Sequence, residues 1–241
     1  MTLATLGAHG QGKPRSFSFV PQVGVSLGKQ NGFAATLPEA APAEPTTQGY
    51  QPKAQYKAGF TVGMEAIYQA TSEWAVSLGA FYTQTGSKYK DFEATFTQSE
   101  QPDQERAAGQ NATRKGYTFT EQNNTFGYVM IPVMAHYYLA KGFAVKAGVE
   151  LGFLTNAKKE WTRTDFTIAD ETNVRSFDKP IANETDLKDD AKSVVFAIPV
   201  GVSYEYEHVV LDARYHIPLT KSMETIDTHN RLFTFTVGYR F

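Results

Sequence analysis

Apolar and polar residues alternate with a period of two over residues 231–241. From Phe233 onward, one face of this segment is wholly apolar and consists of Phe233, Phe235, Val237, Tyr239 and Phe241. The other face is small or polar, apart from Leu232, and carries one charge, at Arg240. Successive side chains of a β-strand point to opposite faces of a sheet, so this period predicts a strand. A free aromatic edge invites aggregation, whereas a strand that closes a barrel leaves no edge.

The same alternation recurs in seven further segments, at 16–28, 56–70, 74–83, 126–139, 143–154, 193–206 and 209–219. Long and short connections alternate between the eight segments. The long, polar connections lie at about 29–55, 86–125, 155–192 and 220–230. Long connections on one rim and tight turns on the other are typical of outer-membrane barrels. Residues 12–241 are therefore predicted to form an all-β, eight-stranded antiparallel up-and-down transmembrane β-barrel, closed by pairing of 231–241 with the first strand.

The alternation alone also fits a soluble barrel with an apolar interior. Two features favour an apolar exterior instead. The eight apolar faces hold no Asp, Glu, Lys, Arg or His, as contact with hydrocarbon requires, and the opposite faces are rich in glycine, which suits a narrow interior. Aromatic residues gather where the short turns are predicted, and an interfacial girdle is assigned to Phe17, Tyr68, Trp74, Tyr137, Phe143, Tyr204, Tyr239 and Phe241.

The composition excludes or disfavours several other classes of protein. The net charge is -2 and there are no cysteines, so bulk charge does not favour a nucleic-acid partner and a disulfide framework is excluded. The chain has no run of 18 apolar residues, so no transmembrane helix is predicted. Residues 1–11 are short, weakly apolar and followed by a polar stretch, so they are interpreted as a signal-peptide remnant or a disordered N-terminus.

Eight charged residues fall on the inward faces of the predicted strands, four of each sign. They are Lys57, Glu65, Lys146, Glu150, Glu205, Asp212, Arg214 and Arg240. Charges in a narrow lumen require pairing or water. They predict either a plugged, hydrogen-bonded interior or a small gated pore in which paired charges exchange partners.

The five histidines predict no metal site, because no two share metal-ligand spacing within one segment. His136 and His216 are expected to face inward as single hydrogen-bonded side chains. An outer-membrane enzyme acting on lipid or peptide is a further alternative, but it needs a nucleophile beside a base, and the sequence places none. No catalytic residue and no cofactor is predicted.

The chain resembles the small outer-membrane β-barrel domain family of Gram-negative bacteria. Members of this family are PorT-like, with a transmembrane barrel of the OmpA type. The resemblance covers about residues 15–241 and rests on the eight alternating strands, on residues 131–133 and 198–200, both Ile-Pro-Val, and on residues 237–241, Val-Gly-Tyr-Arg-Phe. It implies integral placement in the outer membrane after export through the periplasm. It also implies that Tyr239 and Phe241 form the signal read by the barrel-assembly machinery.

The long polar connections contain scattered aromatics, including Phe92, Trp161 and Phe166, which suggest strands that protrude beyond the membrane. Loops on a rigid scaffold are where binding residues concentrate. The sequence therefore favours a structural or surface-binding role with an unknown extracellular ligand. Outer-membrane lipid and lipopolysaccharide are the expected surroundings of the barrel.

Overall fold

The computed structural model describes residues 13–31, 54–97, 113–169, 173–223 and 229–241. Within these ranges the chain forms eleven β-strands. They are β1 (Ser16–Asn31), β2 (Ala54–Gln69), β3 (Trp74–Tyr89), β4 (Phe92–Thr97), β5 (Thr113–Ala140), β6 (Phe143–Ala169), β7 (Arg175–Phe177), β8 (Ile181–Asp186), β9 (Val194–Tyr206), β10 (Val209–Pro218) and β11 (His229–Tyr239). The described residues include no helix long and apolar enough to cross a membrane.

Eight of these strands close into a ring, in the order β1, β2, β3, β5, β6, β9, β10 and β11. All neighbouring pairs are antiparallel, and β11 pairs back to β1, with Val23 opposite Val237 and Val25 opposite Phe235. The predicted eight-stranded barrel and its closing pair of strands are confirmed. Short turns connect β2 to β3, β5 to β6 and β9 to β10. The start of β1 and the end of β11 therefore lie on this short-turn rim.

The second and third predicted loops, 86–125 and 155–192, are wrong in extent, because parts of both segments form strands. β5 and β6 extend far beyond the ring and pair as far as Thr113 and Ala169. On this side β4 pairs with β5, and β7 and β8 pair with β6. These strands, with residues 113–123 and 158–169, are called the protruding sheet. Its alternation is brief in the sequence because the buried residues, Tyr117 and Phe119 on β5 and Phe166 and Ile168 on β6, form only short apolar runs between polar residues. The predicted protruding strands near Phe92 and Trp161 are confirmed.

The apolar faces point outward and the small and polar faces point inward. Outward residues such as Val23, Leu78 and Val149 are 56–62% exposed. Inward residues such as Glu65, Ser77 and Thr61 are buried. Outward charges begin only on the long-loop side, for example at Lys29, which lies opposite Arg231 in the register, and at Lys88. This places the apolar band between the short-turn rim and that level.

The predicted N-terminal segment 1–11 lies outside the described residues, as does most of the first predicted loop, 29–55. Within that loop β1 continues to Asn31 and β2 begins at Ala54. The fourth predicted loop, 220–230, is shortened at its end because β11 begins at His229.

Candidate functional site

The lumen is filled by three layers of side chains. A small apolar cluster that includes Val20, Ile67 and Tyr138 lies toward the short-turn rim. A larger aromatic cluster that includes Phe81 and Tyr128 lies toward the long-loop side. The charged residues are packed between these two layers. An eight-stranded barrel is just wide enough for its side chains to fill, and here they do so across its width.

The central charges form one cluster that crosses the lumen. Arg214 on β10 donates from Nη2 to Oε2 of Glu65 on β2 at 2.7 Å and from Nε to Oδ1 of Asp212 at 2.6 Å. Lys146 on β6 pairs with Asp212 and lies 3.8 Å from Glu65. The guanidinium of Arg214 also lies 5.3 Å from the ring centre of Phe81 in the layer above. Two acids and two bases therefore compensate each other where water is excluded, as buried charges require.

Neutral residues complete the hydrogen bonding of Glu65. The Gln22 amide donates to Oε2 at 3.0 Å and the Ser77 hydroxyl donates to Oε1 at 2.6 Å. Nε2 of His136 lies 2.8 Å from the same hydroxyl and 3.8 Å from Glu65. The sequence placed no serine beside a histidine, so this contact was missed. It is not a catalytic triad, because the serine donates to the carboxylate and one histidine nitrogen faces both groups.

The other predicted lumen charges form separate contacts. Arg240 pairs with Glu205 at 2.8 Å and donates to Ser18 at 2.9 Å, near the short-turn rim. Glu150 is 2.8 Å from Nδ1 of His216.

Lys57 is not part of the central cluster either. It lies on the long-loop side and donates to two neutral side chains, those of Asn123 and Thr125. The eight predicted lumen charges are thus divided among four groups.

Two small cavities remain among these side chains. One, of about 40 Å³, lies near Glu150 and His216, and another of about 10 Å³ lies above Arg214. A cavity needs roughly 10–15 Å³ to hold one water molecule, so these spaces accommodate a few waters at most. Neither cavity is large enough for a hydrated solute.

The predicted girdle residues lie on the outer surface near the short-turn rim. Phe17 packs on Tyr68 with ring centres 4.7 Å apart, and Trp74 packs on Tyr137 at 4.8 Å. Phe143 lies opposite Tyr204 in the register of β6 and β9.

The two residues assigned to the assembly signal lie on the same rim. Tyr239 and Phe241 have ring centres 4.9 Å apart. The backbone amide of Phe241 donates to the carbonyl of Phe19 at 2.9 Å, which extends the β1–β11 seam to the end of the sheet.

A family model described as "Outer membrane protein beta-barrel domain" matches residues 10–224. The chain belongs to this family. It is an integral outer-membrane barrel, as the sequence predicted. In barrels of this class the long loops are extracellular.

Solved structures of small outer-membrane barrels are distantly similar to this outer-membrane barrel. The attachment invasion locus protein Ail of Yersinia pestis is 11% identical, with a TM-score of 0.38 and coverage of 93% of this chain and 98% of Ail. OprG of Pseudomonas aeruginosa is 11% identical, with a TM-score of 0.39 and coverage of 95% and 97%. Neisserial surface protein A is 14% identical, with a TM-score of 0.34 and coverage of 92% and 95%. The search of curated proteins gives no match.

The long-loop side of this outer-membrane barrel holds a polar cavity of about 600 Å³. It lies where β2 begins and β3 ends, next to the base of the protruding sheet. Its lining is rich in amides and carboxylates and includes one indole: Gln55, Lys88, Tyr89, Glu121, Gln122, Asn123, Glu160, Trp161, Thr162, Ala182, Asn183 and Glu184. All of these positions lie in the predicted loops, so the sequence carries no signal that they come together.

A β-bulge in β5 shapes one wall of this cavity. Thr120 lies opposite Thr162 and Asn123 lies opposite Glu160, so two residues of β5 face one residue of β6. Glu121, the first of the two, has a φ of 54°, in the left-handed region that non-glycine residues seldom adopt. Its carboxylate accepts a hydrogen bond from Thr162 at 3.1 Å, and its carbonyl accepts one from Asn123 at 3.1 Å. Bulges of this kind redirect side chains next to functional sites.

The indole of Trp161 is held in place from more than one side. It packs against the buried pair Tyr117 and Phe119 of the protruding sheet. Nζ of Lys159 lies 5.3 Å from its ring centre, and burial lowers the pKa of the Lys159 ammonium. On the neighbouring strand β8, Glu184 pairs with Lys158 at 2.6 Å. Within the part of the chain that the structure describes, no group of three acidic or histidine side chains is arranged to hold a metal ion.

Proposed function

We propose that this protein is a non-conducting outer-membrane barrel that binds an extracellular ligand through its protruding sheet. The observation that carries the proposal is the charge cluster that joins Glu65 on β2 to Lys146 on β6 and Arg214 on β10 across the full lumen. Apolar layers cover this cluster on both sides. A conducting path through it requires a buried charge to leave its partner, which costs several kcal/mol.

The architecture on the extracellular side supports a binding role. β5 and β6 continue beyond the ring, and three additional strands pair with them. A fixed sheet of this kind orients side chains more firmly than a loop does, and it presents a cavity of ligand size. An enzymatic role has less support, since the serine–histidine contact at Ser77 and His136 is buried in the lumen and lacks triad geometry.

Conductance across a planar lipid bilayer tests the plugged lumen. The purified barrel is inserted beside a general porin as a positive control, and its folding is verified by the difference in gel mobility between boiled and unboiled samples. We expect no steps in current above the baseline of the protein-free bilayer. Reproducible channels from the folded protein would refute the proposal and favour the pore.

The binding role is tested on whole cells. Retention of cells that display the barrel on immobilised bacterial and animal cell surfaces is compared with retention of cells that lack it. Higher retention of the displaying cells is expected, and equal retention on all surfaces would contradict a binding role.

A further inference from the structure

The extracellular cavity below the protruding sheet has the chemistry of a saccharide site. From its geometry we propose that it binds an uncharged oligosaccharide, and this inference rests on the surface-binding role proposed above. The cavity of about 600 Å³ falls within the range of roughly 300–1,000 Å³ found for small-molecule sites. Such sites are usually lined by apolar side chains, whereas amides and carboxylates dominate here. The lining therefore selects a polar ligand.

The strongest single indication of a ligand is Gln122. Its side chain lines the cavity and is 4% exposed, yet its amide nitrogen Nε2 has no hydrogen-bond partner. A buried donor without a partner is costly, and such groups in folded proteins need an explanation. The bulge formed by Glu121 and Gln122 holds Glu121 in a disfavoured conformation. Strain of this kind is commonly retained at ligand-binding sites. A ligand acceptor atom would satisfy the Gln122 amide.

Hydroxyl groups are the complement of the other polar groups in the cavity. An amide side chain offers a donor and an acceptor within one group, and a sugar hydroxyl does the same. Four amides line the cavity, at Gln55, Gln122, Asn123 and Asn183. The fixed indole of Trp161 adds one flat apolar surface, which suits the C–H face of a pyranose ring. An amide-rich wall and one immobilised aromatic platform together match a hydroxyl-bearing ring.

The charges of the lining argue against an anionic ligand. Glu121, Glu160 and Glu184 contribute three carboxylates, and Lys88 contributes the one ammonium among the lining residues. A sulfated or phosphorylated ligand would face a negative field. A basic peptide is the competing possibility, but two of the three carboxylates already bond to protein groups, Glu121 to Thr162 and Glu184 to Lys158. Asn123 is bonded to Glu121 and Lys57, and the Asn183 amide nitrogen donates to the carbonyl of Ile181. The amides of Gln55 and Gln122 and the indole are then the main groups that select the ligand.

Tryptophan fluorescence provides a direct measurement. The chain has two tryptophans, Trp74 on the short-turn rim and Trp161 in the cavity. In a Trp74→Phe background the emission reports on the cavity alone. The folded barrel, in lipid nanodiscs free of glycoside detergent, is titrated with lactose, maltotriose, chitotriose and mannotriose. A sulfated heparin disaccharide and triarginine form the two comparison arms. We expect a saturable change in emission with at least one neutral sugar at millimolar concentration or below.

Variants then locate the binding site. Gln122→Leu removes the buried amide at similar volume and is expected to weaken sugar binding about tenfold. Asn183→Ala, on the opposite wall, provides an independent variant should Gln122→Leu fail to fold. Calorimetry on Trp161→Ala is expected to show loss of binding. Phe177→Ala is the matched control, because Phe177 is an exposed aromatic of the same sheet that does not line the cavity.

Three results would overturn the saccharide assignment. They are no saturable response to any of the four neutral sugars, tighter binding of the sulfated disaccharide or triarginine, and unchanged affinity in both Gln122→Leu and Asn183→Ala. These outcomes are separable from failure of the surface-binding role. A barrel that retains cells on a surface without any of these sugar responses would keep that role and lose the saccharide assignment. Channel currents would refute the plugged lumen whatever the sugar result.

Discussion

Neutralising Glu65 removes one charge from the cluster that crosses the lumen. In Glu65→Gln the side-chain shape is kept, but Arg214 loses a charged partner at 2.7 Å and Lys146 loses one at 3.8 Å. Asp212 is then the single acid beside two bases, and the cluster carries an uncompensated positive charge. Removing one partner of a buried ion pair costs about 3–5 kcal/mol. We expect the free energy of unfolding to fall by about that amount.

A second variant separates charge balance from lost contacts. Lys146→Met alone leaves two acids facing Arg214 and is expected to cost about the same as the first variant. The double variant restores the balance, because Arg214 keeps both of its bonds to Asp212, at 2.6 and 3.4 Å. Replacing a complete buried pair is often nearly neutral. The double variant should therefore be less destabilised than the sum of the single variants by about 2 kcal/mol or more.

Equilibrium urea unfolding in lipid vesicles measures these differences. Tryptophan emission follows the transition, and an unchanged m-value shows that the midpoints report stability. Glu93→Gln is the matched control: it removes a paired carboxylate, 2.9 Å from Arg175, that is exposed on the protruding sheet. Exposed pairs contribute about 0–1 kcal/mol. A loss below about 1 kcal/mol for Glu65→Gln, or strict additivity in the double variant, would show that the cluster does not hold the lumen together.

Further predictions concern the barrel wall and its closure. Leu78→Arg, in the middle of the outer apolar band, should cost about 2–4 kcal/mol of folding free energy in vesicles, whereas Gln84→Arg at the edge of the band should cost about 0–1 kcal/mol; equal costs would contradict the placement of the band. Phe241→Ala should lower the fraction inserted in cells more than it lowers the unfolding midpoint of purified barrels, and equal losses would leave no role in assembly. In Gly24→Ala the added methyl group would overlap the carbonyl oxygen of Phe235 across the closing seam, so the yield of heat-modifiable barrel should drop; an unchanged yield would show that the seam adapts.

Much of the barrel could be predicted from the sequence because lipid contact enforces a strict rule. Every outward residue within the membrane must be apolar, so Val23, Leu78 and Val149 mark their face without ambiguity. The inward position of Glu65 and Arg214 follows from the same rule. Their pairing does not follow, since it depends on the register across the lumen. Lys146 and Glu150 lie on one strand and have the same inward orientation, yet the register gives them different partners.

The extracellular cavity is the part that the sequence could not reveal. The buried residues of the protruding sheet form only short apolar runs between polar residues, so most of the sheet looks like a loop in the sequence. The bulge at Glu121 shifts the alternation by one residue: Tyr117 and Phe119 are buried before it, and Gln122 and Asn124 are buried after it, so no single period runs through this part of β5. Trp161 is recognisable as an unusual residue in a polar stretch, but its partners Asn123 and Asn183 become neighbours only through strand pairing.

The seam between β1 and β11 also has a consequence for how the barrel forms. Ten residue pairs join these strands, from Gln22–Gly238 to Asn31–His229, and each links positions about two hundred residues apart in the chain. Loop closure over such distances is slow, because its entropic cost precedes the contacts that reward it. Until the seam forms, both strands carry unpaired backbone groups that hydrocarbon does not tolerate. Membrane entry and ring closure are thus coupled into one late, cooperative step, and the incomplete ring is the species most exposed to aggregation and proteolysis.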